Sequence, residues 1–228
     1  MFAETIKRIK TGLLTMNASL IKFAVAVLAS VIITGCGGGS SAQNADSALS
    51  EDLPNAVTTN SPVTTNSPVN FSVITDDNLA NCIKDNKINH VGIQVLVCSG
   101  KDIVRLDGIE QFSNLRVVYL SNNNIQNIQP LTKLPKLFSL DVSNNKLQSL
   151  NGLESLSVLN KLNVSSNKLT DADVLQEVKS LKKLYISNNQ LQSLAFITRL
   201  NSLENLDAEG NQRSGLPTLP TGIKTFNI

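Results

Sequence analysis

Apolar residues recur with a period of 22 residues from residue 93 onward. The successive units begin at Ile93, Leu115, Leu137, Leu159, Leu181 and Leu203. Four of them read LRVVYLSNNNI, LFSLDVSNNKL, LNKLNVSSNKL and LKKLYISNNQL, which share the pattern LxxLxLxxNxL, with Val or Ile allowed at the Leu places. Alternation over a short stretch indicates a β-strand, so each unit is predicted to begin with one. Val118 and Leu120 are expected to point inward, and Tyr119 between them outward.

The second half of each unit is short and mixed in composition. Apolar residues recur there at positions 14, 17 and 20, as at Ile128, Leu131 and Leu134. We expect turns or short 3-10 pieces, which Pro130 fits better than a long helix. The segment 171–178 (DADVLQEV) has a more helical composition. Because one unit cannot bury its apolar face alone, successive units are predicted to stack around one core, with parallel strands about 4.8 Å apart.

This repeat resembles the leucine-rich repeat family, and its 22-residue form is most similar to the internalin-like class. The resemblance implies an α/β solenoid. In such a solenoid, a right-handed superhelix carries a parallel β-sheet on its concave face and short turns or 3-10 segments on its convex face. It also implies that the concave face is the contact surface for partners.

An Asn recurs at the ninth position of five successive units. These residues are Asn123, Asn145, Asn167, Asn189 and Asn211. The chain turns sharply at this position and leaves backbone groups without partners in the strand ladder. A buried Asn amide has the donors and acceptors to satisfy them. We therefore predict a structural role for this Asn column, and neither a metal-binding nor a catalytic one.

The C-terminal stretch LPTLPTGIKTFNI departs from the 22-residue period. It resembles the LPxLP form of bacterial leucine-rich repeats and implies a 20-residue step to Ile223, with Phe226 and Ile228 facing inward. The last strand would then have an open edge, and such an edge invites pairing with another chain. Self-association through this C-terminal edge strand is accordingly a hypothesis.

The N-terminal segment, residues 1–35, has the composition of a secretory signal peptide, with a basic stretch followed by a short apolar run. The run ends in ITGC, whose last residue is Cys36, and this motif resembles the bacterial lipobox. The resemblance implies cleavage before Cys36 and lipid attachment to its thiol. Gly37 follows where enterobacterial lipoproteins of the inner membrane usually carry Asp, which favours the outer membrane of a bacterial cell envelope. An ordinary signal peptide with a chance Cys is the alternative.

Residues 36–70 are predicted to comprise the lipidated Cys and a disordered tether. This segment is rich in Gly, Ser, Asn, Thr and Pro, and it contains VTTNSP twice. Its low apolar content cannot offset the entropy cost of ordering it. This composition is consistent with two roles. The segment could be a spacer that holds the folded part away from the lipid surface, or it could be loose padding without a required length. An N-terminal helical cap at residues 71–92 and a repeat domain at residues 93–228 would follow.

Residues 75–87 (TDDNLANCIKDNK) are predicted to form a short helix that closes the first end of the solenoid. Leu79, Cys82 and Ile83 would lie on one face of this helix and cover the first repeat, where Cys98 occupies an inward position. With the third cysteine of the chain acylated, Cys82 and Cys98 remain as a pair in an oxidising compartment. We predict that they form a disulfide; two buried free thiols are the alternative.

Outward-facing strand residues supply the candidate contact surface. The candidate ligand-binding residues are Arg116, Tyr119, Phe138, Asp141, Lys161, Lys183 and Tyr185. Exposed aromatic residues and Arg are typical of binding hot spots, and Lys182 extends the basic part of this cluster. We predict binding of a protein or glycan partner through the concave face. The alternative is that the chain is a structural or spacing component of the envelope. Its concave sheet face would then be merely solvated and would have no specific ligand.

Charge and side-chain chemistry argue against other functions. Residues 1–35 hold four basic and one acidic side chain, so the rest of the chain, with 16 basic and 17 acidic side chains, is nearly neutral. Strong nucleic-acid binding needs an extended patch of clustered Lys and Arg, and nothing in this nearly neutral stretch indicates one. We find no convergent acid–base groups, phosphate loop or metal-ligand cluster, and His90 is the one histidine. We therefore expect no enzymatic activity, no metal and no cofactor.

Overall fold

The computed structural model describes residues 67–212, 215 and 217–228. The predicted signal peptide, the lipidated Cys36 and most of the predicted tether lie outside these residues. Within the described residues, short strands alternate with short 3-10 segments, and one α-helix precedes them.

Seven strands form one parallel sheet in which each strand pairs with the next along the chain. They are β1 (Val95–Val97), β2 (Val117–Tyr119), β3 (Ser139–Asp141), β4 (Lys161–Asn163), β5 (Lys183–Tyr185), β6 (Asn205–Asp207) and β7 (Thr225–Asn227). Equivalent repeat positions are paired, so that Leu140 lies beside Leu162 and Leu162 beside Leu184. All three leucines are buried, as the predicted stack of units requires.

The second half of the repeat units forms 3-10 segments. These are Ile109–Gln111, Gln129–Lys133, Leu153–Ser155, Asp173–Glu177 and Ala195–Arg199. Side chains three residues apart eclipse one another in a 3-10 helix. The apolar residues at positions 14, 17 and 20 therefore all face the core, and together with the inward strand residues they form one hydrophobic cluster.

The more helical character expected of segment 171–178 is wrong. Its regular part is a five-residue 3-10 helix, Asp173–Glu177, no longer than its counterpart Gln129–Lys133. The reason is the spacing of its inward residues. Ala172, Leu175 and Val178 are all buried at intervals of three residues, which matches the three residues per turn of a 3-10 helix. In an α-helix, with 3.6 residues per turn, the residue six positions on would be rotated by about 120° from the first.

The Asn column lies at a sharp turn of every unit it occupies. The residue before each Asn adopts a left-handed conformation, for example Asn144 with φ 52°. The Asn145 amide donates to the carbonyls of Leu120 at 3.0 Å and Val142 at 3.1 Å, and its oxygen accepts from the Ile125 N–H at 2.9 Å. Because Leu120 and Ile125 belong to the preceding unit, each buried Asn ties one coil to the one before it.

The N-terminal cap contains helix α1 (Asp77–Asp85), which lies within the predicted segment. Asp76 caps it, since one carboxylate oxygen accepts from the Leu79 N–H at 3.0 Å. The other oxygen accepts from the N–H groups of Val104 at 2.8 Å and Arg105 at 2.9 Å, which belong to the first repeat. Burial alone would raise the pKa of Asp76, but these backbone hydrogen bonds outweigh it and lower the pKa. The ionised carboxylate therefore stabilises the fold above its ordinary pKa, and this contribution is lost as the pH falls through the lowered value.

A disulfide joins the cap to the first repeat. It links Cys82 of α1 to Cys98, with a Cα–Cα distance of 5.9 Å, which is the predicted pairing. Both cysteines are buried, together with Leu79 and Ile83 on the same face of the helix. The cap thus closes the first end of the hydrophobic core by packing and by a covalent bond.

The last described strand ends the stack differently. β7 pairs with β6 at a 20-residue step, which places Phe226 beside Leu206. Although it occupies an inward repeat position, the Phe226 side chain is 60% exposed, because among the described residues no further unit packs over it. Self-association through this edge stays a prediction.

Candidate ligand-binding face

The concave face is formed by the side chains that point away from the core at the second, third, fifth and seventh positions of the units. All seven candidate residues lie on it and are half-buried. Tyr119, Asp141, Lys161, Lys183 and Tyr185 belong to strands β2 to β5, while Arg116 and Phe138 directly precede β2 and β3. The regular pairing of these four strands brings the seven side chains onto one continuous surface.

The two tyrosines mark the limits of this surface along the stack. Tyr119 on β2 and Tyr185 on β5 occupy the same repeat position, and two strands lie between them. Three strand spacings amount to about 14 Å, so both rings can contact one partner. Asp141 and Asn163 lie between them on β3 and β4 and make the centre of the surface polar.

Two lysines lie side by side beside the second tyrosine. Lys161 and Lys183 are paired on β4 and β5, and the Lys161 ammonium is 6.0 Å from the centroid of the Tyr185 ring. Like charges on directly paired strand positions repel each other. A cation near an aromatic ring is attracted to it by about 0.5–1 kcal/mol at an exposed site, which offsets part of that repulsion.

Asp141 is held in one orientation by its neighbours. Its carboxylate accepts from the backbone N–H of Ser143 at 2.9 Å, from the Ser143 hydroxyl at 2.7 Å and from the Asn163 amide at 3.2 Å. Sequence reasoning missed Ser143 and Asn163 as supporting residues. The spacing of an Asp two residues before a Ser was the available signal, because Asp side chains bond to the backbone two residues on.

A cluster of ion pairs at the last strands was also missed. Glu204 lies 3.4 Å from the Lys182 ammonium and 2.6 Å from that of Lys224. The hydrogen bond from Lys224 is the main reason that the pKa of Glu204 is lowered. Lys182 is therefore partly neutralised, and the basic part of the concave face is smaller than its sequence indicates.

The side chains that could ligate a metal ion are spread apart in the described residues. They contain no group of three or more His, Cys, Asp or Glu residues that could hold a metal ion. Asp141 and Asp207 lie on β3 and β6, about 14 Å apart by strand spacing, which is too far for a catalytic carboxylate pair. In the same part of the chain, no helix has the length and apolar character needed to cross a membrane.

Comparison with known families identifies the repeat itself. A profile described as Leucine Rich repeats (2 copies) matches residues 113–155, and one described as Leucine Rich Repeat matches residues 180–200. Both matches fall on the units that carry the LxxLxLxxNxL pattern. No curated protein matches this chain in sequence comparison.

Solved structures share the architecture. An internalin, InlF, from Listeria monocytogenes has a TM-score of 0.63 and 21% identity, over 73% of this chain and 59% of that one. The functional domain of InlJ from the same species, which includes a cysteine ladder, has a TM-score of 0.53 and 23% identity, over 62% and 38% of the two chains.

A leucine-rich repeat protein from Leptospira interrogans has a TM-score of 0.52 and 28% identity, over 54% of this chain and 33% of that one. The chain thus spans less than two thirds of the length of each of these three proteins. The matched repeats, the parallel sheet with one strand per unit and the internalin-like neighbours together identify the described residues as a leucine-rich repeat solenoid.

Proposed function

We propose that this chain is a lipid-anchored, extracytoplasmic binding protein that recognises a protein or glycan partner through its concave face. The observation that carries the proposal is the clustering of Arg116, Tyr119, Phe138 and Tyr185 on, or directly before, strands β2, β3 and β5 of one sheet. These residue types dominate binding energy at interfaces, and none of them is required by the repeat pattern at its position. The proposal includes no enzymatic activity.

The rigidity of the surface supports this function. Each strand is hydrogen-bonded to both neighbours in the stretch from β2 to β6, so the side chains project from a preorganised backbone. Tyrosine side chains also lose little conformational entropy on binding, because they have only two rotatable torsions. Binding of a partner would therefore cost little conformational entropy in this protein.

Changing both tyrosines to alanine should weaken partner capture. We expect Tyr119→Ala with Tyr185→Ala to reduce recovery of a partner from native envelope extract at least about tenfold, since each hot-spot residue contributes more than about 1 kcal/mol. The measurement is a pull-down with the full chain as bait, quantified at several bait concentrations. Thermal stability should change little, because both side chains project away from the core.

A matched control removes side chains from the opposite side of the units. Lys133 and Val158 are exposed in the convex half of their repeats, and Lys133→Ala with Val158→Ala should leave capture unchanged. Equal capture by wild type and the tyrosine variant would contradict recognition by the concave face. That result would favour the alternative, a structural or spacing component of the envelope.

The proposal of a lipid anchor is based on the lipobox-like sequence that ends at Cys36. Replacing this residue with Ser removes the thiol that would be acylated, so we expect Cys36→Ser to move the protein from the membrane fraction to the soluble fraction. Fractionation of cells followed by immunoblotting measures this change. Acyl chains gain about 0.8 kcal/mol per buried methylene, so loss of the lipid should release most of the protein. Retention of Cys36→Ser in the membrane fraction would contradict lipid anchoring.

A further inference from the structure

A shallow, open depression of about 280 Å³ lies outside the concave face, on the segments that follow the Asn column. It is lined by Gln148, Lys168, Thr170 and Gln190, and we call it the side groove. These residues come from three successive units, at the tenth and twelfth positions of the repeat. None of them belongs to the candidate residues of the concave face.

Backbone hydrogen bonds link neighbouring units around the side groove. The Lys168 N–H donates to the Leu147 carbonyl at 2.9 Å, and the Gln190 N–H makes the same bond to the unit before it at 2.8 Å. These bonds keep neighbouring units in register beyond the Asn turn. Gln148 and Thr170 therefore form one row across the units, and Lys168 and Gln190 form a second row beside it.

The lining side chains are exposed, and within the described part of the chain none of the four hydrogen-bonds to a protein group. The two Gln amides and the Thr hydroxyl both donate and accept hydrogen bonds, whereas the Lys ammonium only donates. Asp171, the acidic residue next to Thr170 in the sequence, does not line the groove; its carboxylate accepts from the Asp173 N–H at 2.8 Å. The groove thus offers three side chains that both donate and accept hydrogen bonds, and one positively charged side chain.

We propose that the side groove binds an acidic saccharide, a sugar unit that carries a carboxylate. Sugar hydroxyls donate and accept hydrogen bonds, which matches the amides and the hydroxyl, and the carboxylate would pair with the Lys168 ammonium. The lining has no aromatic ring on which a nucleobase could stack. The volume lies slightly below the range for small-molecule sites, about 300–1,000 Å³, and suits one sugar unit better than a larger ligand.

The test is a titration of the isotopically labelled full chain with sodium galacturonate, with galactose as the neutral probe at the same ionic strength. We expect the side-chain amide resonances of Gln148 and Gln190 to shift saturably, with a dissociation constant of about a millimolar, as suits an open and solvated site. Galactose should bind at least about tenfold more weakly, because it cannot form the charge-assisted bond. Absence of saturable shifts at these amides, or equal binding of galactose, would overturn the proposal.

The repeat supplies a matched control for the charge. Lys146 occupies the same position as Lys168 one unit earlier but does not line the groove. Lys168→Ala should weaken galacturonate binding at least about tenfold, and Lys146→Ala should leave it unchanged. The variant Tyr119→Ala with Tyr185→Ala should also bind galacturonate normally, which separates this site from the concave face. Equal losses in the two Lys variants would show a diffuse charge effect and would overturn the proposed site.

Discussion

Replacing Asn145 with Ala is expected to lower the free energy of unfolding by about 3 kcal/mol, because it leaves several buried backbone groups without partners. The amide bonds the carbonyls of Leu120 and Val142 and the N–H of Ile125, and Asn145 itself is 8% exposed. Each buried group left unsatisfied costs about 1–3 kcal/mol, and partial relaxation or water entry reduces the total. Urea unfolding monitored by circular dichroism, with the disulfide intact, measures the loss.

An exposed asparagine in the same unit provides the control. Asn151 lies on the surface, and its side chain takes part in no hydrogen bond within the described residues. Asn151→Ala should change the free energy of unfolding by less than about 0.5 kcal/mol, as surface substitutions usually do. A loss below 1 kcal/mol for Asn145→Ala would show that water replaces the amide and that the Asn column does not hold the coils together.

Removing the disulfide is expected to cost about 3 kcal/mol in the chain-entropy description, which assigns that amount to a closed loop of about 15 residues. Cys82 and Cys98 are separated by 16 positions. We would replace both with Ala rather than Ser, because both sites are buried and a hydroxyl would add an unsatisfied polar group. Urea unfolding of the double variant, and of wild type under reducing conditions, measures the effect.

The loss should be concentrated at the capped end of the solenoid. Units of a repeat protein contact only their neighbours, so amide hydrogen exchange should accelerate in α1 and β1 more than in β4 and β5. Cys36→Ala, which removes the third cysteine, should leave exchange in all these elements unchanged. Equal unfolding midpoints for oxidised and reduced wild type would contradict the proposed stabilisation.

The repeat period determines much of the architecture. Strands, their parallel order and the inward direction of Leu140, Leu162 and Leu184 all follow from a 22-residue pattern, because the same local alternation recurs and each unit must bury the same face. The cap helix followed from a different local signal, the i, i+3, i+4 spacing of Leu79, Cys82 and Ile83.

The sequence could predict which residues form the concave face, but not how their side chains interact with one another. Repeat position indicates which side chains leave the core, so Tyr119 and Tyr185 could be chosen from the sequence. Their environment depends on pairs of residues in different units. The bonds from Ser143 and Asn163 to Asp141, and the pairing of Glu204 with Lys182 and Lys224, arise only when the units stack.

The sequence by itself thus determined the repeating fold, the closure of its first end and the list of outward side chains, because each of these depends on spacing along a few residues. Only the tertiary structure decided that Asp76 accepts N–H groups from Val104 and Arg105 in the first repeat, and where the side groove lies. These features join side chains and backbone groups that are distant in sequence or lie in neighbouring coils. Local periodicity carries no information about such contacts, since they depend on the distance and direction between elements after packing.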